Sequence, residues 1–201
     1  LELDNSPSIC AEILIRLAKF TTMETKIAIL RGINVGGKRK ILMADLKELM
    51  GNLGFQNIQT YIQSGNLIFN VNDKLENKEI TQEIERAILK KFDFEVPVIV
   101  LSAEEIENAV ANNPYYKAGA DINKLHLTFL NEVPNKDKQE IAESFDYTPD
   151  QFEIIGRNAF IYCEDSYHKS KLTNDFFEKK LKVKATTRNW KTVLKLWELS
   201  K

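Results

Sequence analysis

Two apolar runs constrain the fold of this chain most, because neither alternates polar and apolar residues as a half-exposed strand would. Lys26-Ile27-Ala28-Ile29-Leu30 is nearly apolar on both faces, and Val96-Pro97-Val98-Ile99-Val100-Leu101 wholly so. Strands of this kind belong in a sheet covered on both sides, so packed layers are expected rather than beads on a linker. Between the two runs, periodicity predicts a helix from about Ala44 to Leu53 and strands over 57–63 and 66–71 about a tight Ser64-Gly65 turn. A longer helix follows from about Asn77 to Phe92, with Ile80, Ile84, Ala87 and Ile88 along one stripe. The order β-α-β-β-α-β is that of the split βαβ, or ferredoxin-like, unit.

Residues 102–201 repeat part of that grammar: helix 103–112, strand 124–131, helix 135–145, strands 151–156 and 159–164, then helices near 171–181 and 189–199. The fold class expected is therefore α+β, with a ferredoxin-like half over 23–101 packed against a second, partly similar α+β half over 102–201. Residues 1–22 stand apart, because the chain begins at Leu1 and its first strong strand follows Met23. Ser6 as cap and Pro7 at the first helical position predict a short helix reaching Phe20. This segment lacks the basic front and small-residue cleavage site of a signal peptide, and is expected to be an appended or upstream-translated extension outside the domain.

The formal charge of −1, from 28 basic and 29 acidic residues, removes the global cationic field of a bulk nucleic-acid binder. Affinity for phosphate would have to come from local patches. Cys10 and Cys163 are far apart and lack metal-ligand spacing, which supports neither a disulfide framework nor a metal site and suits a cytoplasmic protein. No apolar run approaches the roughly 18 residues needed to span a bilayer, so no membrane partner is expected.

Candidate ligand residues gather at three places. In the loop Arg31-Gly32-Ile33-Asn34-Val35-Gly36-Gly37-Lys38-Arg39-Lys40, three glycines and four basic side chains follow a buried strand, describing a backbone that bends tightly and approaches an anion closely. Gly32, Gly37 and Lys38 fall at the G-x-x-x-x-G-K spacing of a phosphate-binding loop. Arg39, however, stands where that motif needs Ser or Thr, and Ile41-Leu42 delays the helix, so a nucleoside triphosphatase is not supported. The second place is the hairpin Tyr61-Ile62-Gln63-Ser64-Gly65-Asn66, whose turn chemistry explains Gly65 and Asn66 but leaves Gln63 as an amide at a strand end near the first loop.

The third place joins His168-Lys169-Ser170-Lys171-Leu172-Thr173-Asn174 with Thr186-Thr187-Arg188-Asn189-Trp190. Both segments are expected to be polar helix starts, with Ser170 and Thr187 as caps, and free N–H groups at such ends attract anions. The planar fork of Arg188 suits a carboxylate or phosphate. Trp190, Val193, Leu194 and Trp197 form a core stripe, and His126, opposite Leu125, Leu127 and Phe129 on its strand, is expected to be structural.

Taken with Met43-Ala44-Asp45-Leu46, the motifs Leu30–Gly37, Tyr61–Asn66, Ser170–Asn174 and Thr186–Trp190 resemble a bacterial family classed as domain of unknown function 1697, from about Met23 to Leu199. The resemblance implies a cytosolic α+β protein with ferredoxin-like parts and names no reaction. Lys38-Arg39-Lys40 is more basic than the usual continuation of the family's first motif.

The leading functional expectation is a module binding an anionic ligand: a phosphorylated metabolite, a nucleotide or an RNA end. Arg31, Asn34, Lys38, Gln63, Ser64, Asn66, Ser170, Lys171, Arg188 and Asn189 would supply the contacts. Nucleic acid is not favoured, since strand 26–31 carries no aromatic residue and 66–71 only Phe69. The alternatives are an enzyme acting on a phosphorylated small molecule, with Ser64 or Ser170 near Lys171 as reactive group, and a protein-interaction or homo-oligomerisation domain. No cofactor or oligomeric state is indicated.

Overall fold

The computed structural model describes residues 23–72 and 75–201, so the expected helix over 6–20 and Cys10 lie outside the described residues. Strand β1 (Met23–Leu30) is followed by α1 (Met43–Asn52), β2 (Gln56–Tyr61), β3 (Asn66–Asn72), α2 (Asn77–Phe92) and β4 (Val98–Ser102). The four strands form an antiparallel sheet in the order β2-β3-β1-β4, which is the split βαβ arrangement. Both faces are covered. Ala28, Leu30, Phe69, Val98 and Val100 pack under α1 and α2, while Ile27, Ile29, Ile68, Ile99 and Leu101 face a second core. Burial on both sides is the reason that neither apolar run alternates.

The chain continues through α3 (Ala103–Asn112), the short α4 (Pro114–Lys117), β5 (Leu125–Leu130), α5 (Lys136–Glu143), β6 (Gln151–Ile155) and β7 (Asn158–Tyr162). A 3₁₀ turn over Tyr167–Lys169 leads to α6 (Asn174–Leu181), β8 (Ala185–Asn189) and α7 (Trp190–Leu199). The second sheet has the order β6-β7-β5-β8, so residues 125–189 complete a second βαββαβ unit instead of repeating part of one.

The strand missing from the sequence-based expectation is β8. Ala185-Thr186-Thr187-Arg188-Asn189 carries no apolar periodicity and abuts a helix, so it resembles a polar helix start until β5 pairs with it. Asn189, not Thr187, caps α7 by accepting the Thr192 N–H at 2.8 Å. Likewise Thr173, not Ser170, caps α6, which begins at Asn174 rather than near 171, and the Ser170 hydroxyl accepts the Leu172 N–H at 3.1 Å.

Each unit ends in an extra helix, α3 after β4 and α7 after β8, and these two helices lie against each other between the sheets. Ile106, Ala109 and Val110 of α3 and Trp190, Val193 and Leu196 of α7 share a core with Leu125, Leu127 and Phe129. The outer face of the second sheet packs Leu130 and Ile161 under Phe177 and Leu181 of α6.

The two units correspond residue by residue along their central strands. Leu30 pairs with Val98 as Leu130 pairs with Ala185, and Leu30 N–H donates to Gly65 as Leu130 N–H donates to Arg157. By this register Ile99 and Leu101 of β4 match Thr186 and Arg188 of β8. The inward-facing positions of one edge strand are apolar and those of the other are polar, and that asymmetry locates the candidate site.

Candidate anion-binding cleft

The glycine-rich loop is a braced hairpin. Ile33 and Ile41 anchor its two feet in the first core, each 1% exposed. Between them the Asn34 amide donates to the carbonyls of Ile41 and Gln63, both at 2.9 Å, and its oxygen accepts the Ile41 N–H at 2.9 Å. Val35 and Lys38 bridge across Gly36 and Gly37, whose φ values of 58° and 74° are those of a type I′ turn. The loop therefore does not lead a helix N-terminus onto a phosphate as a G-x-x-x-x-G-K loop does. Arg39, at φ 46°, instead turns back over the loop, with Nη1 3.4 Å from where a Cβ on Gly32 would sit.

Arg188 reaches from the inner face of β8 into the end of the first sheet. Its Nε donates to Asn66 Oδ1 at 2.6 Å, Nη1 to its neighbour Thr187 O at 2.9 Å, and Nη2 to Leu30 O at 2.7 Å and Ser64 O at 2.9 Å. Four of its five N–H groups are thereby used, leaving one on Nη1. No carboxylate pairs with it among the described residues, and burial pushes its pKa down to about 10, so it stays cationic at neutral pH. Asn66, fully buried, turns its amide to Tyr61 O and Ser64 Oγ, each at 3.0 Å, and so presents its oxygen to the guanidinium.

Arg31, at the end of β1, crosses to the other unit and pairs with Asp175 at 2.8 Å and with Glu178, both in α6. Glu178 also accepts the Ala185 N–H at 3.1 Å, tying this pair to the start of β8. Arg31 and Arg188 together clamp the two units on either side of an open cleft of about 600 Å³. Lys38 and Arg39 add two exposed cations to its wall, and no carboxylate lines it among the described residues. A hydroxyl lies among them: Thr186, 1% exposed, whose Oγ1 has no hydrogen-bond partner.

Tyr167 and Asn174 close the cleft on the side of the second unit. The Tyr167 hydroxyl donates to Thr187 Oγ1 at 3.0 Å, and the Thr187 hydroxyl donates to Asn174 Oδ1 at 2.7 Å. The Tyr167 ring stacks on His126, with centroids 4.7 Å apart. Desolvation lowers the His126 pKa below its ordinary value, outweighing its hydrogen bond with the Lys124 backbone. The unfolded chain then binds the proton more readily, so stability is expected to fall as pH drops below about 6.5. Urea titrations at pH 5.5 and 7.5 check this: His126→Gln should narrow the difference between them, and an unchanged difference would assign the acid sensitivity elsewhere.

Of the residues expected from sequence, Arg31, Lys38, Ser64 and Arg188 meet in the cleft. Asn66 lies beneath it and holds Arg188, and Asn34 braces the hairpin. The side chain of Gln63 is exposed and outside the lining, and only its carbonyl contributes, through Asn34. Ser170 is buried, Lys171 is exposed and Asn189 is spent as a cap, and none of them lines the cleft. Ser64 Oγ accepts from Asn66 and has no basic side chain bonded to it. Sequence reasoning placed Thr186 and Asn174 within its third cluster without assigning them contacts, and passed over Tyr167. Thr186 lies two residues before Arg188, the spacing that shares a strand face, and would have been found had β8 been recognised.

A larger cleft of about 740 Å³ runs beside β4 and the start of α2. Its charges are mostly matched: Glu24 with Lys26 at 2.8 Å, Glu85 with Lys184 at 3.1 Å, and Glu105 with Arg157. In the smaller cleft Lys38, Arg39 and Arg188 have no carboxylate partner among the described residues. No group of three His, Cys, Asp or Glu residues placed to hold a metal occurs among the described residues, and no helix there is long and apolar enough to cross a membrane.

Among known proteins, the family described as protein of unknown function (DUF1697) matches residues 23–160. The matched segment contains the hairpin and the Ser64–Asn66 turn and stops before β8. The conserved bacterial protein SP0830 from Streptococcus pneumoniae is similar in structure, with a TM-score of 0.70 and 28% identity, covering 90% of this chain and 100% of that one. No curated protein matches.

Proposed function

This chain belongs to the DUF1697 family, and we propose that it is a cytoplasmic module that binds an anionic ligand in the basic cleft between its two units. One observation carries the proposal. On the inner face of β8 a guanidinium without a carboxylate and a buried hydroxyl without a partner stand two residues apart, where the matching positions of β4 are Leu101 and Ile99. Leaving a buried hydroxyl unpaired costs about 1–3 kcal/mol and does nothing for the fold. An anion seated between Thr186 Oγ1 and the free N–H of Arg188 satisfies both groups. Lys38 and Arg39 raise the local anion concentration at the mouth, where low-dielectric walls concentrate the field. The ligand classes this suits are phosphorylated metabolites, nucleotides and the phosphorylated end of an RNA.

Thr186→Val tests the proposal without disturbing any bond within the protein. The variant is expected to unfold at the same temperature as the parent or higher, since it removes only an unpartnered hydroxyl. It is expected to bind phosphate-bearing ligands roughly tenfold more weakly, the equivalent of about 1.4 kcal/mol. Differential scanning calorimetry and titration calorimetry provide the two readouts. A less stable variant with unaltered binding would assign the hydroxyl to the fold and remove the main support for this site.

A further inference from the structure

We infer that the ligand of this cleft carries at least two linked phosphate groups, one seated against β8 and the next against the hairpin of the first unit. The inference rests on the anion-binding proposal and goes further by counting and placing charge.

Arg31 is already neutralised by Asp175 and Glu178, so the cations left without a counter-charge are Lys38, Arg39 and Arg188. A single phosphate monoester brings about −1.5 to −2 at neutral pH, too little to balance three positive charges, whereas a diphosphate or triphosphate balances them. The cations also come from two different elements, the edge strand β8 and the hairpin of the first unit. Arg188, half-buried, and Thr186, buried, belong to the second unit and form the inner seat. Lys38 and Arg39 belong to a hairpin stapled by the Asn34 amide, with the Arg39 guanidinium folded back over Gly32 instead of extending into solvent.

The inner seat also lacks the paired N–H grip by which an Arg fork holds a carboxylate. A carboxylate takes two parallel N–H groups from an Arg fork, but only one remains on Arg188 after its bonds to Asn66, Thr187, Leu30 and Ser64. One N–H and one neighbouring hydroxyl suit separate oxygens of a tetrahedral group.

The experiment is titration calorimetry of the full chain with orthophosphate, pyrophosphate, tripolyphosphate and ATP. Affinity is expected to rise about tenfold or more from orthophosphate to tripolyphosphate, as a second charged group engages. The double variant Lys38→Gln/Arg39→Gln, confined to exposed side chains, should remove most of that rise and weaken orthophosphate, through the lost field alone, by less than it weakens tripolyphosphate, while Thr186→Val weakens every member of the series. Tripolyphosphate and ATP binding equally would assign recognition to the phosphate chain alone, and tighter binding of ATP would assign the source of that chain to a nucleotide. Equal affinity for orthophosphate and tripolyphosphate, or an equal loss for both in the double variant, would overturn this inference and leave the anion site standing. Absence of binding by all four would overturn both.

Discussion

Gly65→Ala is expected to destabilise the protein by about 3 kcal/mol and to lower its thermal midpoint by roughly 10 °C. Gly65 sits at φ 78°, and a Cβ there would lie 2.7 Å from Leu30 Cβ and 2.8 Å from Ile33 Cδ1. The first number makes any L side chain strained, and the others mean that core atoms fixed by their own packing would have to move. The site is also pinned from the main chain, because the Gly65 carbonyl accepts the Leu30 N–H at 2.8 Å. Gly36→Ala is the matched control. Gly36 has φ 58°, and a methyl added there would meet nothing within 4 Å, so only the backbone cost of about 1 kcal/mol applies. Urea unfolding of both variants separates the two contributions, and equal losses would mean that Leu30 and Ile33 yield freely and the close approach is not what requires glycine.

Arg188→Met should be at least as costly, at about 3–5 kcal/mol, because it removes all the guanidinium donors from a part-buried cluster and leaves their acceptors in place. Leu30 O, Ser64 O and Asn66 Oδ1 would be stranded at the junction of the two units. Arg188→Lys retains the charge but is expected to recover only part of the loss, since a compact ammonium lacks the fork that spans these acceptors. A double-mutant cycle with Asn66→Ala measures the pair directly, with an expected coupling of about 1–3 kcal/mol. Additive losses would mean that Arg188 and Asn66 act separately and that no latch joins β8 to the Ser64-Gly65 turn. Because Arg188 serves fold and ligand together, its variants speak to the latch, and Thr186→Val remains the cleaner probe of binding.

The two roles of Arg188 explain why the candidate site was only partly legible in the sequence. Clustering of Arg31, Lys38, Ser64 and Arg188 at loop and strand ends marked the region of the cleft, because phosphate-type recognition draws on a small set of residue types. Chemical type did not say how each donor was already used. Arg31 suits an anion as well as Arg188 does, yet two carboxylates of α6 hold it. Asn34 and Asn66 carry the amides expected of contacts, yet both satisfy backbone or neighbouring side chains. Ser170 and Lys171 lie near a helix start in sequence and outside the cleft in space.

The α+β class, the ferredoxin-like order of the first unit and the cover on both faces of its sheet were all readable from the residues in line. Those properties are written in local periodicity: double-sided burial makes β1 and β4 continuously apolar, and Ile80, Ile84 and Ile88 recur at helical spacing along α2. That the second unit is complete, and that its polar edge strand faces the first, emerged only from the folded chain. Strand β8 becomes a strand through β5, some 59 residues away at the Thr128–Thr187 contact, and Arg188 is positioned by Leu30, 158 residues away. Pairings over such distances need leave no periodic trace in the segment that joins, as in β8, because its local preferences are set by its neighbours and its role by a surface that exists only after both units have folded.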